Sequence, residues 1–149
     1  MTFDPKDPAW ESKVRDSFQR QSFLKLLGAE VETVSPGCCS IRIAARGDLC
    51  QQHGFMHAGV TATLADTAAG YAAFSLMPPG STVLTAEFKI NLLAPARGSI
   101  FVARASVVKP GRTLSAVTCS VYSLDMGNET AIASFLGTMM CLQGKDDRQ

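Results

Sequence analysis

The chain has 149 residues, 46% of them hydrophobic, and a formal net charge of +1. Length and apolar content suit one globular domain with a real core, since two half-sized domains would each be marginal. The balanced charge lacks the clustered basic face of a nucleic-acid or membrane-surface binder, and a charged fraction of 18%, below the usual ~25%, suggests surface covered by other subunits.

The N-terminal "MTFDPKDPAWESK" carries acids and prolines and no apolar segment, so it does not read as a signal peptide. A helix is expected over about 8–27, with Asp7 as its cap and Pro8 in its first turn. Trp10, Val14, Phe18, Phe23 and Leu26 form its apolar stripe, and Gly28 stops it. Two short strands follow, "AEVETV" and "CSIRIAA", joined by a turn at Ser35-Pro36-Gly37. The polar stretch "QQHGFMHAG" at 51–59 leads into an alanine-rich run that predicts a central helix over about 58–76, ended by Pro78-Pro79-Gly80. Four strands complete the chain. In "STVLTAEFKINLL" the alternation puts Leu84, Ala86, Phe88, Ile90 and Leu92 on one face and Glu87, Lys89 and Asn91 on the other. Short turns at 110–111 and 127–128 make the last three strands antiparallel neighbours. A flexible tail is expected over about 143–149. The fold class is α+β: one domain over 1–149, an antiparallel sheet against a long central helix, with an extra N-terminal helix.

The five cysteines are odd in number and form no CxxC motif, which points to reduced thiols in a cytoplasmic protein. His53 and His57 are four apart, but no acid or cysteine completes a ligand set, so no metal is expected. No run of ~18 apolar residues is present to span a membrane.

Asp66 stands out. It is the only formally charged residue between Leu49 and Ala86, and its helical neighbours Ala62, Thr63, Ala69 and Gly70 are small. A carboxylate there is either desolvated or opens into a cavity. The alternative is an Asp that fixes packing by hydrogen-bonding another chain. His57 lies nine positions earlier, about two and a half helical turns and ~13 Å along the axis. One helix therefore cannot easily bring both its N-terminus and its own Asp66 to one substrate, whereas two antiparallel helices from two subunits can. The helix N-terminus offers unpaired backbone N–H groups suited to a carbonyl oxygen that gains negative charge, and Ala58 and Gly59 are small enough to admit one. Those small residues would equally ease a tight turn. No G-x-S-x-G elbow or Ser-His-Asp set is present.

The pattern Gln51-x5-His57-Ala58-Gly59-x6-Asp66-x3-Gly70 resembles the hotdog-fold acyl-CoA thioesterases, in particular the PaaI-like group of the phenylacetyl-CoA pathway. "FLKLLGAEVETVSPG", "AEFKINLLAPARG" and "VVKPGRTLSAVTCSVY" are similar to that family's opening, central-strand and late-hairpin segments, and the likeness runs over roughly 18–142. It implies a curved sheet wrapped round a long helix, homodimers and often homotetramers, and hydrolysis of an acyl-CoA at the dimer interface. By position, Asp66 matches the nucleophile or base, and Ala58 the residue whose N–H polarises the carbonyl. Gln51 matches the orienting amide, and Thr85 a Ser/Thr that assists the acid. His57, with Gly59, matches the loop-organising motif. Two departures stand: Ala58 replaces a usual glycine, and strict alternation puts Thr85 on the face of Glu87. Coenzyme A would be part of the substrate, with no separate cofactor; Arg97, Lys109 and Arg112 are candidates for its phosphates. A hotdog hydratase or dehydratase, with His57 moving the proton, and a non-catalytic acyl-CoA-binding domain are the alternatives. Phe55, Met56, Tyr71, Phe74 and Met77 could shape an acyl pocket or simply fill the core.

Overall fold

The computed structural model describes residues 3–145 and residue 147. Six antiparallel strands, β1 (Glu30–Ser35), β2 (Cys38–Ala44), β3 (Ser81–Leu92), β4 (Ile100–Lys109), β5 (Leu114–Asp125) and β6 (Asn128–Gln143), form one sheet in the order β1-β2-β4-β5-β6-β3. The helices are α1 (Trp10–Arg20), α2 (Ser22–Leu27) and the long α3 (Ala58–Phe74), with a short 3-10 turn at Gly47–Leu49. Helix α3 lies against β2, β3, β4, β5 and β6. Ala65, Ala68, Ala69 and Ala72 are fully buried along it, and their short side chains let the sheet close tightly on the helix. This is the hotdog arrangement. Because the sheet curves round it, α3 is apolar on most of its circumference, as a buried helix is.

The N-terminal segment is two helices rather than one. Gln21 leaves helical geometry at ψ 100°, and its side-chain amide donates to the Tyr71 hydroxyl at 2.6 Å. The break resets the helical phase. Val14 and Phe18 are buried as expected, but beyond the break Leu24 and Leu27 face the core while Phe23 and Leu26 are exposed. Asp7 does not cap α1 itself. It accepts the Ala9 N–H at 2.9 Å and pairs with Lys13 at 3.1 Å, closing the turn that leads into the helix. Gly28 ends α2 in the left-handed region (φ 73°), where glycine has no steric penalty.

At the other end of α3 the helix stops at Phe74, two residues short of the expected limit. The buried Ser75 donates to the Ala72 carbonyl at 2.7 Å and accepts the Gly37 N–H at 2.8 Å, tying the β1–β2 turn to the helix end. The β5–β6 turn is Met126-Gly127, with φ 46° and 81°, one residue earlier than the sequence suggests. Positive φ at both positions is the two-residue geometry that matches strand twist. In the tail, Gly144 N–H bonds the Gly80 carbonyl, and Asp147 accepts from Thr82 at 2.9 Å and pairs with Arg20. Residues 146, 148 and 149 lie outside the described residues. Among the described residues no helix is long and apolar enough to cross a membrane.

Candidate active site

The loop before α3 is built to present a helix N-terminus. Gln51 N–H bonds the Phe55 carbonyl at 2.8 Å and Gly54 N–H returns to the Gln51 carbonyl at 2.9 Å, with Gly54 at φ 81°. Met56 N–H bonds the Ala96 carbonyl at 3.0 Å and His57 N–H the Leu49 carbonyl at 2.9 Å, which anchors both sides. His57 is the N-cap, and its Nδ1 accepts the Gly59 N–H at 2.9 Å. That bond fixes the proton on Nε2 in the neutral ring.

The four N–H groups of the first turn can then be accounted for one by one. Gly59 is taken by the His57 ring, and Val60 and Thr61 both reach the His57 carbonyl. Ala58 N–H has no acceptor among the described residues. The sequence offers the helix N-terminus as a set of donors and Ala58 as the one for a substrate oxygen; the structure leaves only the Ala58 N–H free in this turn. Gly59 serves differently, since a Cβ there would come within 3.0 Å of His57 Nδ1 and disturb the cap. Ala58 lies in ordinary helical geometry, so alanine in place of glycine costs the backbone nothing.

Gln51 and Ala58 line a cleft of about 180 Å³ with Met56, Leu92, Ala94 and Ile132. The Gln51 Oε1 is held by the His53 N–H, which aims the side chain along the loop. Asp66 opens into a different cleft, of about 200 Å³, with Thr85, Thr67, Gly70, Tyr71 and Gln21. One chain therefore does not bring Asp66 to Ala58 and Gln51.

Thr85 faces α3, contrary to strict alternation. A β-bulge between Thr85 and Glu87 makes Ala86 an extra residue, so Thr85 pairs with the buried Met139 while Glu87 pairs with Thr138. Val83 and Thr85 point inward before the bulge, and Phe88, Ile90 and Leu92 after it; Leu84 points outward. Thr85 Oγ1 donates to Asp66 Oδ1 at 2.7 Å, and no other described residue donates to that carboxylate. Burial raises the Asp66 pKa above the ordinary carboxylate value, and the Thr85 hydrogen bond partly offsets the rise by stabilising the charged form. Thr85→Val removes that donor and pushes the pKa higher still. If ionised Asp66 is the reacting form, the acid limb of the kcat/KM profile moves to higher pH in Thr85→Val and returns in Thr85→Ser. An acid limb that stays put in the valine variant contradicts the role.

The candidate phosphate ligands are not brought together. Arg97 stacks on the Phe55 ring at 4.4 Å, beside the loop of the Ala58 cleft. Lys109 ends β4, with Arg112 in the turn after it, about 30 Å from Arg97 along the strand at ~3.3 Å per residue. Of the possible acyl-pocket residues, Met56 and Tyr71 line the two clefts, whereas Phe74 is wholly core. Ser17 and Gln21 reach the Tyr71 hydroxyl across the Asp66 cleft; no local signal in the sequence marks them, because each contact spans some fifty residues of chain. Among the described residues no three His, Cys, Asp or Glu side chains gather as a metal site needs. Burial pushes the Cys39 and Cys119 thiols up to about 12, so neither supplies a thiolate.

A family model described as the thioesterase superfamily matches residues 53–130. A Halobacterium salinarum protein, provisionally named an esterase, is 35% identical over 124 residues, 80% of each chain. A solved thioesterase family protein from Silicibacter pomeroyi shares 50% identity with a TM-score of 0.89, covering 91% of this chain and 99% of that one. The Escherichia coli PaaI protein, from the phenylacetic acid degradation operon, superposes with a TM-score of 0.82 at 19% identity, covering 94% and 98%; this likeness concerns the fold alone.

Proposed function

The chain belongs to the thioesterase superfamily, and from that we propose that it hydrolyses acyl-CoA thioesters to a carboxylic acid and free CoA, at a site completed by two copies of the chain. The observation that carries this reading is the division of the reacting groups: an unpaired N–H at Ala58 in one cleft, and a partly desolvated carboxylate at Asp66 in another.

Strand β3 supplies a route for joining them. It is a sheet edge of twelve residues with Phe88 43% exposed and Leu92 59% exposed on its inward face. A long apolar edge invites pairing with another strand. Paired antiparallel with its own copy about a centre near Phe88, β3 sets Thr85 opposite residue 91. Leu92, next to it, lines the Ala58 cleft of the other copy. The Thr85-bound Asp66 of one chain thereby approaches the Ala58 N–H of the other, in the isologous arrangement of a two-fold dimer.

The carbonyl oxygen rests on the Ala58 N–H, where the positive end of the α3 dipole stabilises the charge that develops on it. Ionised Asp66 attacks the carbonyl carbon or takes a proton from the attacking water. The carbon–sulfur bond breaks and CoA leaves as the thiol, its proton coming from the water that attacks the carbonyl carbon or that cleaves the acyl–Asp66 anhydride; the same water supplies the hydroxyl of the acid. Gln51 orients the reacting groups from beside Ala58. Arg97, held on Phe55 beside the loop of that cleft, supplies a positive charge for the phosphates of CoA. The His57 Nδ1 lone pair is committed to the helix cap, which favours hydrolysis over the hydratase chemistry that needs this histidine as proton carrier.

The test is release of free thiol from short, medium, long and aromatic acyl-CoAs. Release identifies the hydrolase and ranks the acyl groups. Binding of acyl-CoA without release from any of them contradicts the proposal and leaves a binding domain.

A further inference from the structure

We infer that Gly70 sets the size of acyl group the protein accepts, by leaving open the space beside Asp66 that the acyl chain fills; this rests on the acyl-CoA reading above. Gly70 lies one helical turn after Asp66, on the same face of α3, and both line the cleft of about 200 Å³. Glycine inside a helix is unfavourable relative to alanine, so its presence asks for a reason. The fold gives none. Gly70 has ordinary helical geometry, and a Cβ built on it would meet nothing within 4 Å. Gly59 and Gly137, by contrast, are crowded by His57 and by Phe135. What the missing side chain preserves is empty volume next to the carboxylate.

The acyl group is the part of the substrate that fits there. A cavity of ~150 Å³ accommodates a benzene ring, so this cleft of about 200 Å³ has room for a compact acyl group. Its inner wall is closed by Tyr71, whose hydroxyl is tied to Gln21 at 2.6 Å and to Ser17 at 3.2 Å. The cation available to CoA, Arg97, stands beside the other cleft. A thioester whose carbonyl meets Asp66 and the partner's Ala58 N–H thus sends its acyl end over Gly70 and its CoA end toward the partner's loop.

The experiment measures binding of two unreactive thioethers, S-ethyl-CoA and S-(2-phenylethyl)-CoA, to the full chain and to Gly70→Ala and Gly70→Leu. Melting temperature and subunit mass are read alongside. In Gly70→Leu the preference for the phenylethyl over the ethyl compound falls by about tenfold or more, as a pocket discriminates by added carbons. Gly70→Ala shows a smaller fall in the same direction, with a melting temperature unchanged or raised. Equal weakening of both compounds overturns the inference, because the space would then hold the CoA portion. An unchanged preference overturns it too, as does loss of self-association in Gly70→Ala, which would make the glycine a subunit contact. Thiol release by the native chain is scored separately: its absence would sink hydrolysis, while the binding ratio still decides the role of Gly70.

Discussion

Asp66→Asn lowers kcat/KM for acyl-CoA hydrolysis by at least about a hundredfold, the lower end of what a positioned base contributes, and does so without unfolding the protein. Asn has nearly the same shape, and its carbonyl oxygen can still accept the Thr85 hydroxyl that now meets Asp66 at 2.7 Å. It lacks the charge that attack on carbon or activation of water requires. Because burial disfavours the Asp66 charge in the folded chain, removing it relieves a desolvation cost. The melting temperature at neutral pH is therefore expected to hold or rise while activity collapses, the opposing movement typical of a functional group placed at the expense of stability. Steady-state kinetics and a thermal melt on the same preparation check both halves. Activity that survives the substitution removes Asp66 from the chemistry.

Ala58→Pro is the second large effect, expected to cost about 10²–10³ in kcat, the loss seen on deleting one oxyanion donor. The substitution is unusually clean at this position. Ala58 is the first residue of α3, where proline is tolerated because its missing N–H has no partner within the helix. The preceding residue, His57, already holds φ −62° and ψ 136°, the extended geometry that proline demands of its neighbour. The Gly59, Val60 and Thr61 bonds to His57 need not change. Ala58→Gly retains the N–H and serves as the control. A proline variant with native melting temperature and native kcat contradicts the assignment of the carbonyl oxygen to this N–H.

What could be read from the sequence divides along physical lines. Helix α3 was visible because Pro78-Pro79-Gly80 ends it and alanines fill it, and Asp66 because it is the lone charge in a long neutral stretch. The strands were visible as alternating runs, and the fold class follows from their order. The side of β3 on which Thr85 lies was not visible. The bulge that turns it inward sits at Ala86, a residue with no glycine or proline to announce it, and is set by pairing with β6. The break at Gln21 was hidden for the same reason: it serves a contact with Tyr71, far along the chain. Met126 at φ 46° shifted the last turn by one residue because a non-glycine at positive φ is not anticipated from composition. Which N–H of the α3 terminus remains free required the cap itself, since only the His57 ring position separates Gly59 from Ala58. Lys109 and Arg112 share charge and turn position with Arg97 in the sequence, and the length of β4 separates them along one chain.

Mixing two inactive variants shows whether Ala58 of one chain works with Asp66 of another. Asp66→Asn and Ala58→Pro chains, unfolded together and refolded at equal amounts, give about half mixed dimers by random pairing. Each mixed dimer holds one intact site, formed by Ala58 of the first chain and Asp66 of the second, and one doubly impaired site. Recovery of about a quarter of native activity is expected, while each variant refolded alone stays inactive. A mixture no more active than its components would contradict the shared site and place both groups at work within a single chain.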